Sequence, residues 1–302
     1  MERKVIVIVG PTCSGKTKLS LSLAKNLKSE IISADSRQVY KYLDIGTAKP
    51  SGQELKLVKH HFINTLKPDE EFNVSKFEDG AVDIISNLHK YNKIPVVVGG
   101  SGLYIKALID GIFNTANKDE DYRKELKEKM IEYGKEYLYE ELKKVDLISA
   151  EKMLPQNWKR VMRALEVYHL TKEPIWKLQQ EYNRNLNFEF HQYGLDWDRE
   201  ILYENIDRRV DDMINKGLVD ETKNVLNMGY NKKLNSLNTV GYKEIISYLD
   251  NDITLEKAVE LIKRNTRRFA KRQLTWFRKD ERIKWISIVK SEDINEVSKR
   301  IP

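Results

Sequence analysis

Residues 5–17 read VIVIVGPTCSGKT, and the fold class follows from them. Val5–Val9 is an unbroken β-branched run closed by Gly10-Pro11. Such a run reads as a parallel strand buried on both faces. Lys16–Leu27 follows, with Leu19, Leu23 and Leu27 on one helical stripe. Between them, Gly10–Thr17 fits G-x-x-x-x-G-K-[ST] in the context that motif requires, after a strand and opening a helix. The loop Gly10, Pro11, Thr12, Cys13, Ser14 and Gly15 is expected to turn its backbone N–H groups inward around a phosphate. The helix N-terminus adds partial positive charge. In this motif Lys16 reaches the terminal phosphate and the Thr17 hydroxyl ligates Mg2+. ATP is the usual guest, but a diphosphate fits the same cradle.

Outward from this unit the pattern repeats. Glu30–Ala34 and Ile94–Val98 read as further strands, Val74–Leu88 and Leu103–Ile109 as helices. Strand–helix alternation with short turns predicts an α/β fold, a P-loop NTPase-like parallel sheet core. After residue 113 the pattern changes. Residues 119–183 are helical in period, dense in charges of both signs, and free of strand-like runs. The expected organisation is therefore 1–113 as the first part of the core, 114–185 as an inserted all-helical domain, and 186–302 as the return to the core. In that return Phe188–Leu195 reads as a strand, Glu200–Leu226 as one long amphipathic helix, and Leu255–Phe277 as another.

Composition narrows the function classes. Apolar residues are 40% and charged residues 33% of 302, which excludes disorder as the main state. No run of about 18 apolar residues exists, so no membrane span or membrane partner is expected. Cys13 is the only cysteine, so neither an intrachain disulfide nor a thiolate zinc site is available, and a reducing cytoplasm is expected. The net charge is +7, yet Lys263–Lys284 alone carries ten Lys/Arg against two Asp/Glu, and the rest of the chain sums to −1. A basic excess confined to one segment is the footprint of a polyanion. On a helix, Ile262, Phe269, Ala270, Leu274 and Phe277 would face the core. Arg264, Arg267, Arg268, Lys271 and Arg272 would face outward, with Arg267, Lys271 and Arg278 each expected on one phosphate.

A P-loop ATPase normally pairs its loop with a second strand ending in aspartate. Here Pro95–Gly100 (PVVVGG) ends in glycines. Asp35 instead ends the short strand after the P-loop helix, where the carboxyl ends of parallel strands line a ligand crevice. It can serve as a general base or organise a metal; equally, it can cap a helix or close an Asx-turn. Gly46–Pro50 and Gly99–Tyr104 are small-residue turns able to approach a ligand closely. His60-His61 do not share a face, which argues against a metal pair.

These pieces occur together in one family. The chain resembles the tRNA dimethylallyltransferases, or tRNA isopentenyltransferases. The matching segments are GPTCSGKT (10–17), SADSRQVYKYLDIGTAKP (33–50), VKHHFIN (58–64), VVVGGSGLYIKAL (96–108), NWKRVMRALEV (157–167), IDRRVDDMINKGLVDE (206–221), NTVGYKEI (238–245) and KRQLTWFRKD (271–280). The resemblance covers nearly the whole chain. Ser101 stands where the family often has threonine, and no zinc-finger extension of the kind some eukaryotic relatives carry is expected. The resemblance implies transfer of a dimethylallyl group from dimethylallyl diphosphate to N6 of the adenosine 3′-adjacent to the anticodon of tRNA; a cytoplasmic monomer using Mg2+ is expected. It makes Asp35 the catalytic aspartate and adds Arg209 to Lys16 and Thr17 on the diphosphate. It places tRNA against Asp35, Ser36, Arg37, Gln38, Ser101, Arg123, Lys159, Arg160 and Arg163. It adds Asn238, Thr239, Val240, Gly241, Tyr242 and Lys243, then Lys271, Arg272, Gln273, Trp276 and Arg278.

Three rivals remain at this level. A P-loop small-molecule kinase would also place an aspartate by the loop, but gives no reason for the basic segment. A non-catalytic RNA-binding protein leaves the P-loop and Asp35 unexplained. An adenylate isopentenyltransferase, acting on free AMP, ADP or ATP, is the nearest; the insertion and the basic helix favour a larger acceptor.

Overall fold

In a computed structural model, described over residues 3–113, 118–182, 186–290 and 293–301, the chain runs β1 (Lys4–Val9), α1 (Lys16–Asn26), β2 (Ile31–Ser33), α2 (Gly52–Leu57), β3 (His60–His61), α3 (Val74–Lys90), β4 (Val96–Gly99) and α4 (Gly102–Asp110). Five helices follow: α5 (Glu120–Tyr133), α6 (Lys135–Val145), α7 (Leu147–Glu151), α8 (Trp158–Thr171) and α9 (Ile175–Glu181). Then come β5 (Glu189–Trp197), α10 (Arg199–Asn215), α11 (Leu218–Asn227), α12 (Tyr242–Leu249), α13 (Leu255–Phe277), β6 (Lys284–Ile288) and α14 (Asp293–Arg300).

The strands form one sheet in the order β3-β2-β4-β1-β5-β6, every neighbouring pair parallel. β1 lies inside it because all five of Val5–Val9 are fully buried. Each such side chain contributes roughly 1.5–3 kcal/mol. One face packs Ile6 and Ile8 on Leu19 and Leu23 of α1; the other packs Val5, Val7 and Val9 with Phe77, Ala81 and Ile85 of α3. The turns after β1, β2 and β4 therefore emerge side by side at the carboxyl edge of the sheet.

Three features differ from the sequence reading. Residues 200–226 are two helices, not one, because Gly217 takes φ 92° and ends the first. Two edge strands, β3 and β6, carry no clear apolar run: one has two residues and the other is half exposed. The stripe of α13 buries Ala258, Ile262, Ala270, Gln273 and Phe277, while Phe269 is 40% exposed and Leu274 half-buried.

The expected boundaries at residues 114 and 185 lie outside the described residues. By its contacts the chain divides into Met1–Ile109 with Leu186–Pro302, and Asp110–Asn185. The second unit has its own core of Leu126, Leu138, Leu142, Val161, Ala164 and Leu165. Beside it, fully buried Glu166 accepts from Arg123 Nε at 2.6 Å and pairs with Arg163. Burial works against ionisation of Glu166, and the hydrogen bonds from both arginines outweigh it, holding the carboxyl below its usual range. Among the described residues no helix is long and apolar enough to cross a membrane.

Candidate active site

The P-loop closes as its glycines require. Gly10 and Gly15 take φ 146° and 85°, and Cys13 between them takes φ 66°. Gly15 is also small because Ile294 of α14 lies where a Cβ would project, 2.1 Å from it. Trp197 Nε1 donates to Ser14 O at 3.0 Å and fixes the back of the loop. Lys16 Nζ donates to Pro11 O at 2.5 Å, and an Arg209 guanidinium nitrogen lies 3.5 Å from Thr12 Oγ1. Burial, then the Arg209 charge, lowers Lys16 to about 8. Two cations, Lys16 and Arg209, are thus held beside the glycine loop at the N-terminus of α1, a setting that favours an anion.

Asp35 emerges from β2 next to this loop. Its Oδ1 accepts from Arg37 N at 2.8 Å and Gln38 N at 3.3 Å, an Asx-turn. The two readings of Asp35 are therefore compatible. One oxygen closes the turn, and Oδ2 accepts no hydrogen bond from the described residues. Ser101 Oγ accepts from Ser36 N at 3.1 Å and pins the next residue.

A cleft of about 590 Å³ unites these groups. It is lined by Thr12, Cys13, Ser14, Gly15, Lys16 and Thr17, by Asp35, Ser36, Arg37 and Gln38, and by Ser101 and Arg209. Asn238, Thr239, Val240, Gly241 and Lys243 line it too, as do Phe269, Arg272 and Gln273. The loop 238–241 is held at the start of α12 by buried Glu244, which accepts from Gly241 N and Asn265 Nδ2, both at 2.8 Å.

Several expectations change on contact with this geometry. Tyr242 is fully buried and donates its hydroxyl to Glu221, so it supports the site from beneath rather than facing a ligand. Gln273 is also buried, and both ends of its amide are used: Thr12 N donates to Oε1 at 2.8 Å, and Nε2 donates to Gly100 O at 2.9 Å. It clamps the P-loop to the turn after β4. A polar residue on the buried stripe of α13 was the signal available for that role. The glycine turns make room for neighbouring protein atoms, and Gly46, Gly99 and Gly100 also line the cleft. Cβ atoms at Gly99, Gly100, Gly102 and Gly46 would lie 2.1, 2.1, 2.3 and 2.5 Å from Ala34 O, the Gln273 amide, Trp276 and Tyr242.

The outward face of α13 is less uniformly free than its composition suggests. Lys263 pairs with Asp211, Arg267 with Asp207 and Arg278 with Asp196. Exposed Arg264, Arg268, Lys271 and Arg272 form no salt bridge among the described residues, and Arg272 lies over the ring of Phe269 at 5.7 Å. Lys271, Trp276 and Arg278 lie outside the cleft lining. Arg123, Lys159, Arg160 and Arg163 belong to the helical unit: the first and last hold Glu166, Lys159 lies over the Trp158 ring at 5.5 Å, and Arg160 is exposed. His60 and His61 diverge, His60 Nδ1 toward Val58 O and His61 Nε2 toward Glu30, so they form no metal pair.

A phosphate cradle and a strand-end carboxylate opening onto one cleft of a parallel sheet define a P-loop α/β enzyme core. The IPP transferase family model matches residues 38–280. The tRNA dimethylallyltransferase of Thermoanaerobacter sp. (strain X514) is 45% identical over 305 residues, covering 100% of this chain and 97% of that protein. That of Acetivibrio thermocellus is 48% identical over 285 residues, 94% of this chain and 91% of that protein. Among solved structures, the tRNA isopentenylpyrophosphate transferase of Bacillus halodurans is 41% identical with a TM-score of 0.72, covering 99% of this chain and 96% of that one. A eukaryotic dimethylallyltransferase acting on tRNA is 30% identical with a TM-score of 0.85, covering 99% and 77%. The chain belongs to the IPP transferase family and is a transferase.

Proposed function

We propose that this chain transfers the dimethylallyl group of dimethylallyl diphosphate to N6 of the adenosine 3′-adjacent to the anticodon in tRNA, giving N6-(dimethylallyl)adenosine. The observation that carries the reading is the shared cleft. The P-loop, Lys16, Arg209 and Asp35 all line it, and Asp35 Oδ2 accepts no hydrogen bond from the described residues. Full-length likeness to enzymes named for this reaction supports it.

The exocyclic amine of adenine is a weak nucleophile because its lone pair is delocalised into the ring. Asp35 takes its proton as the bond from N6 to the allyl carbon forms and the carbon–oxygen bond to diphosphate breaks. Negative charge grows on the leaving diphosphate, and the P-loop N–H groups, Lys16 and Arg209 stabilise it there. N6 cannot be reached while the base is stacked, so the adenosine enters the cleft flipped.

Mg2+ fits the donor set. Among the described residues no three His, Cys, Asp or Glu converge on a metal, so no protein cage exists. Thr17, a hard hydroxyl donor lining the cleft, would hold Mg2+ beside the diphosphate. When bound, it supplies positive charge to the diphosphate. A cytoplasmic monomer completes the reading.

The basic helix contributes affinity for tRNA. Alanine at Arg264, Arg268 and Lys271, three of the four exposed α13 cations with no salt bridge among the described residues, should flatten the plot of log K for tRNA against log salt by about two to three units. Affinity should fall alike for all tRNAs, since phosphate contacts carry no sequence information. An unchanged slope would make this face a solvated surface. The choice of acceptor tests the reaction itself. Radiolabelled dimethylallyl diphosphate should label unmodified tRNA and leave AMP unlabelled; labelling of AMP alone would favour an adenylate isopentenyltransferase.

A further inference from the structure

The geometry points to Glu221 as a positioning residue for Asp35, acting through Gln38 from a helix 186 residues further along the chain. The inference rests on the reading of Asp35 as the base.

Glu221 stands on the first turn of α11 and is half-buried. Its carboxylate accepts from three successive backbone N–H groups. Asp44 N and Ile45 N lie 2.9 and 2.8 Å from Oε2, and Gly46 N lies 3.1 Å from Oε1. Successive N–H groups form an anion-binding concavity, and here the chain fills it with its own carboxylate. A fourth donor, the Tyr242 hydroxyl, reaches Oε1 at 2.5 Å. Burial pushes the Tyr242 phenol up, so it stays protonated and donates. The Tyr242 ring lies under Gly46, where a Cβ would meet it at 2.5 Å.

The turn so held is closed by Ala48 N donating to Ile45 O at 3.0 Å and Lys49 N donating to Asp44 O at 3.1 Å. Ala48 takes φ 49°, a left-handed backbone that a side chain disfavours. Its carbonyl and that of Thr47 both accept from Gln38 Nε2 at 3.2 Å. The other end of the Gln38 amide accepts from Ser33 Oγ at 3.1 Å, at the end of β2. Gln38 is thus braced between the strand that delivers Asp35 and the turn that Glu221 fixes. Its backbone N–H is one of the two donors to Asp35 Oδ1. Together with the shorter bond from Arg37 N, it ties down Oδ1 and leaves Oδ2 the unbonded edge. Displacement of the 44–48 turn would release the Gln38 amide, and with it the aim of Oδ2. The P-loop is not part of this chain of contacts, so the donor site should not register the change.

The test is steady-state transfer to an anticodon stem-loop by the whole protein, with thermal melting alongside. Glu221→Gln replaces one accepting oxygen by a donor facing N–H groups. It should lower kcat by about tenfold to a hundredfold, the scale of a small misplacement of a reacting group. KM for dimethylallyl diphosphate should stay within about twofold. Because the effect passes through Gln38, the Glu221→Gln, Gln38→Ala double variant should lose no more kcat than the worse single variant. A purely structural Glu221 would give independent, multiplicative losses. Should Glu221→Gln melt early, Tyr242→Phe paired with Gln38→Ala carries the same cycle, since it weakens the carboxylate without removing it. Normal wild-type transfer with an unchanged kcat in a folded variant, or multiplicative losses in the cycle, overturns the inference alone. No transfer by the wild-type protein overturns the proposed function and this inference with it.

Discussion

Asp35→Asn is expected to lower kcat for prenyl transfer by roughly 10²-fold or more, the scale of a lost general base, with little change in affinity for dimethylallyl diphosphate. The substitution separates the two tasks of this side chain. An asparagine oxygen at the Oδ1 position still accepts from Arg37 N and Gln38 N, so the turn survives. The amide nitrogen then occupies the Oδ2 position and cannot take a proton from N6. A variant with near-normal kcat and only a raised KM would remove the base from Asp35 and leave it the turn.

Lys16→Ala should lower transfer by about 10²–10³-fold or more, as loss of a donor aimed at developing negative charge does. The wild-type pH profile carries the same information. Burial and Arg209 hold Lys16 down to about 8, so its ammonium is present below that pH and lost above it. In the free enzyme kcat/KM for dimethylallyl diphosphate should therefore be limited by Lys16 only on the alkaline side, falling about tenfold per pH unit above about 8. Arginine stays protonated throughout this range, so Lys16→Arg should flatten that limb even at lower absolute activity. An alkaline limb that persists unchanged in Lys16→Arg would assign it to another group.

The layout of the sheet was legible because its cause is local. Val5–Val9 and Val96–Val97 are buried β-branched runs, and a buried parallel strand needs little else. The short edge strands were not legible, since His60–His61 and Lys284–Ile288 join the sheet through backbone pairing with β2 and β5 rather than through an apolar pattern. Gly217 ends α10 by a positive φ inside an otherwise continuous amphipathic period, which periodicity alone passes over.

At the site, the P-loop and Asp35 announced themselves because motif and strand end coincide in sequence. The supports did not, because each is a long-range contact. Gln273 reaches Thr12, and Glu221 reaches the 44–46 turn. Composition counted the cations of α13 without the acids of α10 and β5 that neutralise Lys263, Arg267 and Arg278. Burial, not chemistry, removed Tyr242 from the ligand-facing set.

The most direct measurement is nucleoside mass spectrometry on unmodified tRNA incubated with the protein, dimethylallyl diphosphate and Mg2+. The account predicts N6-(dimethylallyl)adenosine at the position 3′-adjacent to the anticodon, formed by the wild-type protein and lost with Asp35→Asn and Lys16→Ala. Recovery of unmodified adenosine only, together with tRNA-stimulated ATP hydrolysis by the same protein, would contradict it.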